Sequence, residues 1–113
     1  MKGPPDQTVR VTFDPDADPQ FTFDPESVRM TAAGKVILEQ HPASPRWVFR
    51  DATVKDDTLH EFRPEVQGSG NALHIHDEFR DRTRKSYSYN VTVALGGTTV
   101  TSPDPVIVND PGV

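Results

Sequence analysis

Cysteine is absent from the sequence, and with it go the disulfide framework, the thiolate nucleophile and the thiolate metal site. Positive charge is in deficit. Twelve lysines and arginines stand against 17 aspartates and glutamates, a formal charge of -5, which excludes the broad cationic surface that nucleic-acid binding demands. No apolar run approaches the roughly 20 residues of a membrane-crossing helix, so neither nucleic acid nor membrane is expected as a partner. Met1-Lys2-Gly3-Pro4-Pro5-Asp6 lacks the apolar stretch of a secretory leader, and cytoplasmic residence is the expectation. Chemistry is thin as well. No serine sits in a G-x-S-x-G elbow, and Gly68-Ser69-Gly70 lacks the lysine and following helix of a phosphate loop. Carboxylate pairs such as Asp56-Asp57 lie in polar stretches. No enzyme activity and no cofactor are expected.

What is present is alternation. In Ser86-Tyr87-Ser88-Tyr89-Asn90-Val91-Thr92-Val93-Ala94-Leu95 the apolar or aromatic residues take every second place, the period of a strand with one dry face and one wet face. Thr8 to Phe13 repeats the pattern, with Val9, Val11 and Phe13 on one face. Eleven prolines and seven glycines cut the chain into short segments, as an all-β chain with many turns requires. A chain of 113 residues holds one two-layer core. The reading is a flexible arm at 1–7 followed by a single all-β domain at 8–113, a two-sheet Greek-key sandwich of about eight strands. Trp47, Phe49, Tyr87, Tyr89, Val91 and Val93 are expected in its core.

Several segments carry more specific expectations. Val36-Ile37-Leu38 suggests burial on both faces or a bulge. Arg63-Pro64 reads as a stop, Gln67 to Asn71 as the most flexible internal loop, and Glu78 to Lys85 as at most one turn of helix. Arg80, Arg82, Arg84 and Lys85, interleaved with acids, read as a solvated turn.

Phe21-Thr22-Phe23-Asp24-Pro25-Glu26-Ser27-Val28-Arg29-Met30-Thr31-Ala32-Ala33-Gly34-Lys35-Val36 resembles the opening of a cupredoxin, which implies a Greek-key sandwich. Copper chemistry is not implied, because the family's cysteine ligand has no counterpart. Trp47 in a middle strand and Tyr87-x-Tyr89 in a late one resemble the landmarks of immunoglobulin-like domains, here without the disulfide. The ending, Tyr-x-Tyr-x-Val-x-Val and then Asp104-Pro105-Val106-Ile107-Val108-Asn109, resembles small bacterial proteins of unassigned function, a resemblance that brings no activity with it.

Two motifs are candidate metal sites. His74-Ile75-His76 places two imidazoles on one strand face about 7 Å apart, and His60, Glu61, Asp77 or Glu78 would have to supply a further ligand. Gly68 and the two histidines fit the start of the cupin G-x5-H-x-H motif, which then breaks because Arg80 or Asp81 stands at its glutamate position. The plainer reading is a polar face opposite Leu73 and Ile75. Asp14, Asp16 and Asp18 have calcium-loop spacing, but Pro19 replaces the glycine, and Asp-Pro turns recur at 14, 18, 24, 104 and 110; this segment reads as a turn. Asn90-Val91-Thr92 is a glycosylation sequon that, without a leader, reads as chance.

The function expected is therefore a non-enzymatic binding module that takes a protein partner or self-associates. The face of 86–94 and the loops at Gln67–Asn71 and Gly96-Gly97 are its expected contacts. The alternative is a divalent-metal module or cupin-like metalloenzyme on His74 and His76.

Overall fold

The computed structural model describes residues 6–41 and 47–112. The expected arm therefore lies outside the described residues up to residue 5, and the loop that the prolines of His41-Pro42-Ala43-Ser44-Pro45 imply lies outside them from Pro42 on. Ten strands follow one another: β1 (Gln7–Phe13), β2 (Phe21–Asp24), β3 (Ser27–Met30), β4 (Gly34–Gln40), β5 (Trp47–Val54), β6 (Phe62–Gln67), β7 (Ala72–Asp77), β8 (Lys85–Leu95), β9 (Thr98–Thr101) and β10 (Val106–Asn109). No helix occurs among the described residues. One sheet has the order β2-β1-β4-β7-β6; the other has β3-β10-β8-β5, with β9 also on β8. Both sheets are mixed, because β1 runs parallel to β4 and β3 parallel to β10.

The alternation seen in the sequence builds the core directly. Val9, Val11 and Phe13 of β1, Val36 and Leu38 of β4, and Leu73 and Ile75 of β7 point inward from one sheet. Trp47, Phe49, Tyr89, Val91, Val93 and Ile107 meet them from the other. Phe13 joins the layers at one end, 4.7 Å from Phe21 and 5.9 Å from Trp47 between ring centroids. Each such side chain contributes about 1.5–3 kcal/mol by leaving water.

β8 is long enough to serve three neighbours. Its first residues pair with β10, its last with β9, and the stretch from Tyr89 to Leu95 with β5. Ser102 bridges the gap between β9 and β10. Its Oγ accepts the Val91 N–H at 2.9 Å and donates to the Pro103 carbonyl at 2.8 Å, so the buried backbone there is satisfied.

Some local expectations are corrected. There are ten strands where about eight were expected, and Pro64 lies inside β6 instead of ending a strand. Val36-Ile37-Leu38 follows simple alternation, Ile37 being half-buried between two fully buried neighbours. Residues 78–84 run without helix, within the expectation of at most one turn. Gln7 already belongs to β1, and Asp6 Oδ1 accepts the Lys35 N–H at 2.9 Å, so the arm does not extend to residue 7.

The turn at Gln67–Asn71 is not a free loop. Gly70 is buried, its carbonyl accepts the Phe49 N–H at 2.8 Å, and a Cβ in its place would lie 2.7 Å from Val48 Cβ. Its φ of +104° also suits glycine. This contact closes one side of the sandwich, where β5 lies against β6 and β7.

Candidate functional site

Period two carries polar residues as well as apolar ones into the core. In β7 the inward row Leu73, Ile75 ends in Asp77; in β10 Ile107 is followed by Asn109; in β8 Tyr87 precedes Tyr89. All three polar ends lie at the same end of the sandwich. Glu61, just before β6, and Asp81, between β7 and β8, join them there. Asn109 Nδ2 lies 3.2 Å from Glu61 Oε1, 3.1 Å from Asp77 Oδ1 and 2.8 Å from Asp81 Oδ1. The Tyr87 hydroxyl lies 2.9 Å from Glu61 Oε2 and 2.5 Å from Asp81 Oδ2. Backbone N–H groups add to the set: Arg80 donates to Glu61 Oε1 at 2.8 Å, and Phe79, at a left-handed φ of 55°, donates to Asp77 Oδ1 at 2.9 Å, while Asp77 Oδ2 and Asn109 Oδ1 are buried with no partner among the described residues.

Three carboxyls share this space with no cationic side chain among the described residues bonded to them, so protons do the balancing. Burial, and then the hydrogen bond with Asp81, pushes the Glu61 carboxyl up to about 7. Burial likewise pushes Asp77 to about 6, against the Phe79 N–H and the Asn109 amide. For Asp81 burial acts upward too, but the hydrogen bonds from Glu61, Asn109 and Tyr87 outweigh it and hold the carboxyl below its usual range. Below about pH 7 the cluster sets a protonated Glu61 beside an ionised Asp81, bridged by a phenol whose own ionisation is suppressed by burial and by both acids. It plugs the open end of the core.

His74 and His76 lie elsewhere, on the outer face of β7. Their ring centroids are 6.3 Å apart, so the structure brings the pair together. The further ligand is missing: Glu61 and Asp77 turn into the core cluster, and among the described residues no group of three or more His, Cys, Asp or Glu is placed to hold a metal ion. The neighbours in register are Lys35 and Arg63 for His76, and Ile37 and Glu65 for His74. Burial, then Lys35 and His76, disfavours a charge on His74. Asp14 Oδ1 caps the Asp16 N–H at 2.9 Å, as a turn requires.

The edges of the sheets differ between the two sides of the sandwich. On the β5/β6 side several outward backbone donors are occupied or removed. The Glu78 N–H donates to Glu61 O, which sets the ladder phase so that Phe62, Pro64 and Val66 face away from β7. Asp57 Oδ2 accepts the Phe62 N–H at 3.1 Å, Pro64 has no N–H to offer, and only Val66 is left. On β5, Phe49 donates to Gly70 O and Ala52 to Asp51 Oδ1. The β2/β3 side is built otherwise. Asp14 donates to Gln20 O while Val11 O serves β4, so Thr22 and Asp24 face β1, and the backbone of Phe21 and Phe23 faces outward. On β3, Glu26 O and Met30 O accept from β10 and its continuation, so Ser27 and Arg29 face outward. A pocket of about 170 Å³ opens beside β2, lined by Pro19, Phe21, Phe23, Glu26, Pro103 and Pro105 among others. That is below the roughly 300–1,000 Å³ of small-molecule sites, and suits a single side chain.

The His74/His76 pair was legible in the sequence; the carboxyl cluster and the β2 edge were not, although the inward parity of Asp77, Tyr87 and Asn109 was a usable signal for the cluster. No curated protein matches this sequence. The model of the DP-EP family matches residues 5–111, nearly the whole of the sandwich just described, and the chain belongs to the DP-EP family.

Proposed function

We propose that the protein is a non-enzymatic binding module that docks another polypeptide along the β2/β3 side of its sandwich. The observation that carries this reading is the asymmetry of the edges: on one side the outward N–H groups of Phe49, Ala52 and Phe62 are bonded and Pro64 has none, and on the other those of Phe21, Phe23, Ser27 and Arg29 turn outward beside an apolar pocket. Natural sheets blunt edges that must stay unpaired, and strand addition uses those left open. β2 and β3 are four residues each, too short for open-ended stacking and long enough for one partner segment. The kinship expected with cupredoxin-like or immunoglobulin-like sandwiches of bacterial proteins is part of the same reading, supported by a two-sheet architecture with a central Trp47.

The carboxyl cluster has a structural part in this reading: its members bond one another and nearby backbone N–H groups at the core end, beside an open pocket of about 490 Å³ lined by Lys35, Arg63, His76 and Asp77 among others. The divalent-metal alternative on His74 and His76 has in its favour the i, i+2 pair and the Glu65 carboxylate, 3.5 Å from His76 Nε2, while the flanking Lys35 and Arg63 oppose a further positive charge.

A displayed library of random extended peptides, selected on the full chain and followed by amide exchange, tests the proposal. Selected peptides that slow exchange at Phe21, Phe23, Ser27 and Arg29 support it. Peptides that protect only Phe62 to Gln67, or a library that yields no binder, would sink it.

A further inference from the structure

The chemistry around the β2 edge narrows what can dock there. Residues 14–26 hold five carboxylates (Asp14, Asp16, Asp18, Asp24, Glu26) and no lysine, arginine or histidine. Asp104, across the pocket, is bridged to Lys55 at 2.7 Å, and Arg10 stands opposite Asp24 in the β1/β2 register. Asp14, Asp16, Asp18 and Glu26 form no ion pair among the described residues. A second copy of this chain added edge to edge on β2 would bring two such acidic segments within a Debye length of about 8 Å. The occupant is therefore a different polypeptide, and a cationic one.

The ladder geometry fixes its pattern. Phe21 and Phe23 each turn one N–H and one C=O outward, while their rings point into the core, stacked 6.2 Å apart. A strand added here alternates its side chains between the pocket and the outer face. A residue lying over the pocket meets Pro19, Phe21, Phe23 and the prolines of Pro103-Asp104-Pro105. Its two neighbours lie on the face that carries Thr22 and Asp24.

We propose that the β2 edge binds a lysine- or arginine-bearing extended segment of another protein as an added strand, with an apolar side chain in the pocket and basic residues at the positions on either side of it. This rests on the docking reading above, and deepens it by naming the class of partner.

The test uses the isotope-labelled full chain and three end-blocked peptides of equal length, Lys-Ile-Lys-Val-Lys, Glu-Ile-Glu-Val-Glu and Ser-Ile-Ser-Val-Ser. The lysine peptide is expected to slow exchange of the Phe21 and Phe23 amides, and to bind more weakly as salt rises from about 50 to about 300 mM. Asp24→Asn and Glu26→Gln, both exposed substitutions, are each expected to weaken it by roughly 1.5- to 5-fold, and methylating its backbone nitrogens should abolish the protection. Equal binding of the glutamate or serine peptide with protection of the same two amides would overturn the charge assignment and leave the docking reading standing. Binding of the lysine peptide without slowed Phe21 and Phe23 exchange would overturn strand addition. Failure of all three peptides, together with a library in which none protects this edge, would overturn both.

Discussion

The Tyr87 hydroxyl lies 2.9 Å from Glu61 Oε2 and also 2.5 Å from Asp81 Oδ2, and its single hydrogen cannot serve two carboxylates. One carboxyl must bring its own proton, and Glu61, at about 7, is the one that holds it. A carboxyl raised in the folded state contributes stability that is fully present below its unfolded value and is lost as pH rises through its folded value. Glu61 acts between 4.5 and about 7, and Asp77 between 3.8 and about 6. Asp81, held low, acts in the opposite sense at lower pH, and His74, whose charge is disfavoured, also opposes them. The unfolding free energy is expected to fall by on the order of 2 kcal/mol between pH 5 and pH 8, measured by urea titration at each pH. Glu61→Gln keeps the shape without the ionisation, and should flatten that slope; a slope left intact would assign it to other groups.

Tyr87 and Tyr89 are two residues apart, share a buried face and differ in what their hydroxyls meet. The Tyr89 hydroxyl has no hydrogen-bond partner among the described residues, so it carries a desolvation cost with no return. Tyr89→Phe is expected to stabilise the fold by about 1 kcal/mol, and Tyr87→Phe to destabilise it by about 1–3 kcal/mol at neutral pH. Thermal unfolding of the two variants side by side decides this, and shifts of the same sign would count against the cluster's role.

The fold was largely legible because period two is a local signal. Tyr87, Tyr89, Val91 and Val93 declare a buried face within seven residues, and Trp47 with Phe49 does so within three. The polar cluster was not legible as a cluster. Asn109 and Glu61 are 48 positions apart, and only the packing of the sheet that holds β6 and β7 on the sheet that holds β8 and β10 brings them together. β6 was missed for a different reason: Pro64 is incompatible with a central strand but not with an edge, and the sequence does not say which strand is an edge. The turn at Gln67–Asn71 was misjudged because glycine signals freedom as readily as close approach, and Val48, which Gly70 approaches, lies 22 positions away.

Gly70→Ala tests that approach. The new Cβ would meet Val48 Cβ at 2.7 Å and the Phe49 carbonyl at 3.0 Å, at a φ that alanine rarely adopts. The expected loss is about 2 kcal/mol or more, with faster exchange of the Phe49 amide, which bonds the Gly70 carbonyl. Gly97→Ala, with open space around its Cβ position, should change stability little and serves as the control.

The closed β6 edge makes the last prediction. Asp57 holds the Phe62 N–H at 3.1 Å and the neighbouring Glu61 N–H at 3.0 Å, and Pro64 withholds the next outward donor. Pro64→Val supplies a donor and a strand-favouring side chain at one stroke, and Asp57→Ala releases a second donor two residues away. Val66 already exposes an apolar side chain there. The double variant should then present outward N–H groups at 62, 64 and 66, the unblunted edge that natural sheets avoid. Sedimentation velocity over a concentration series is expected to show association in the double variant that the parent chain lacks, with protection appearing at those three amides. A double variant that associates no more than its parent would mean that these two residues do not keep the edge closed, and would remove the asymmetry on which the docking proposal rests.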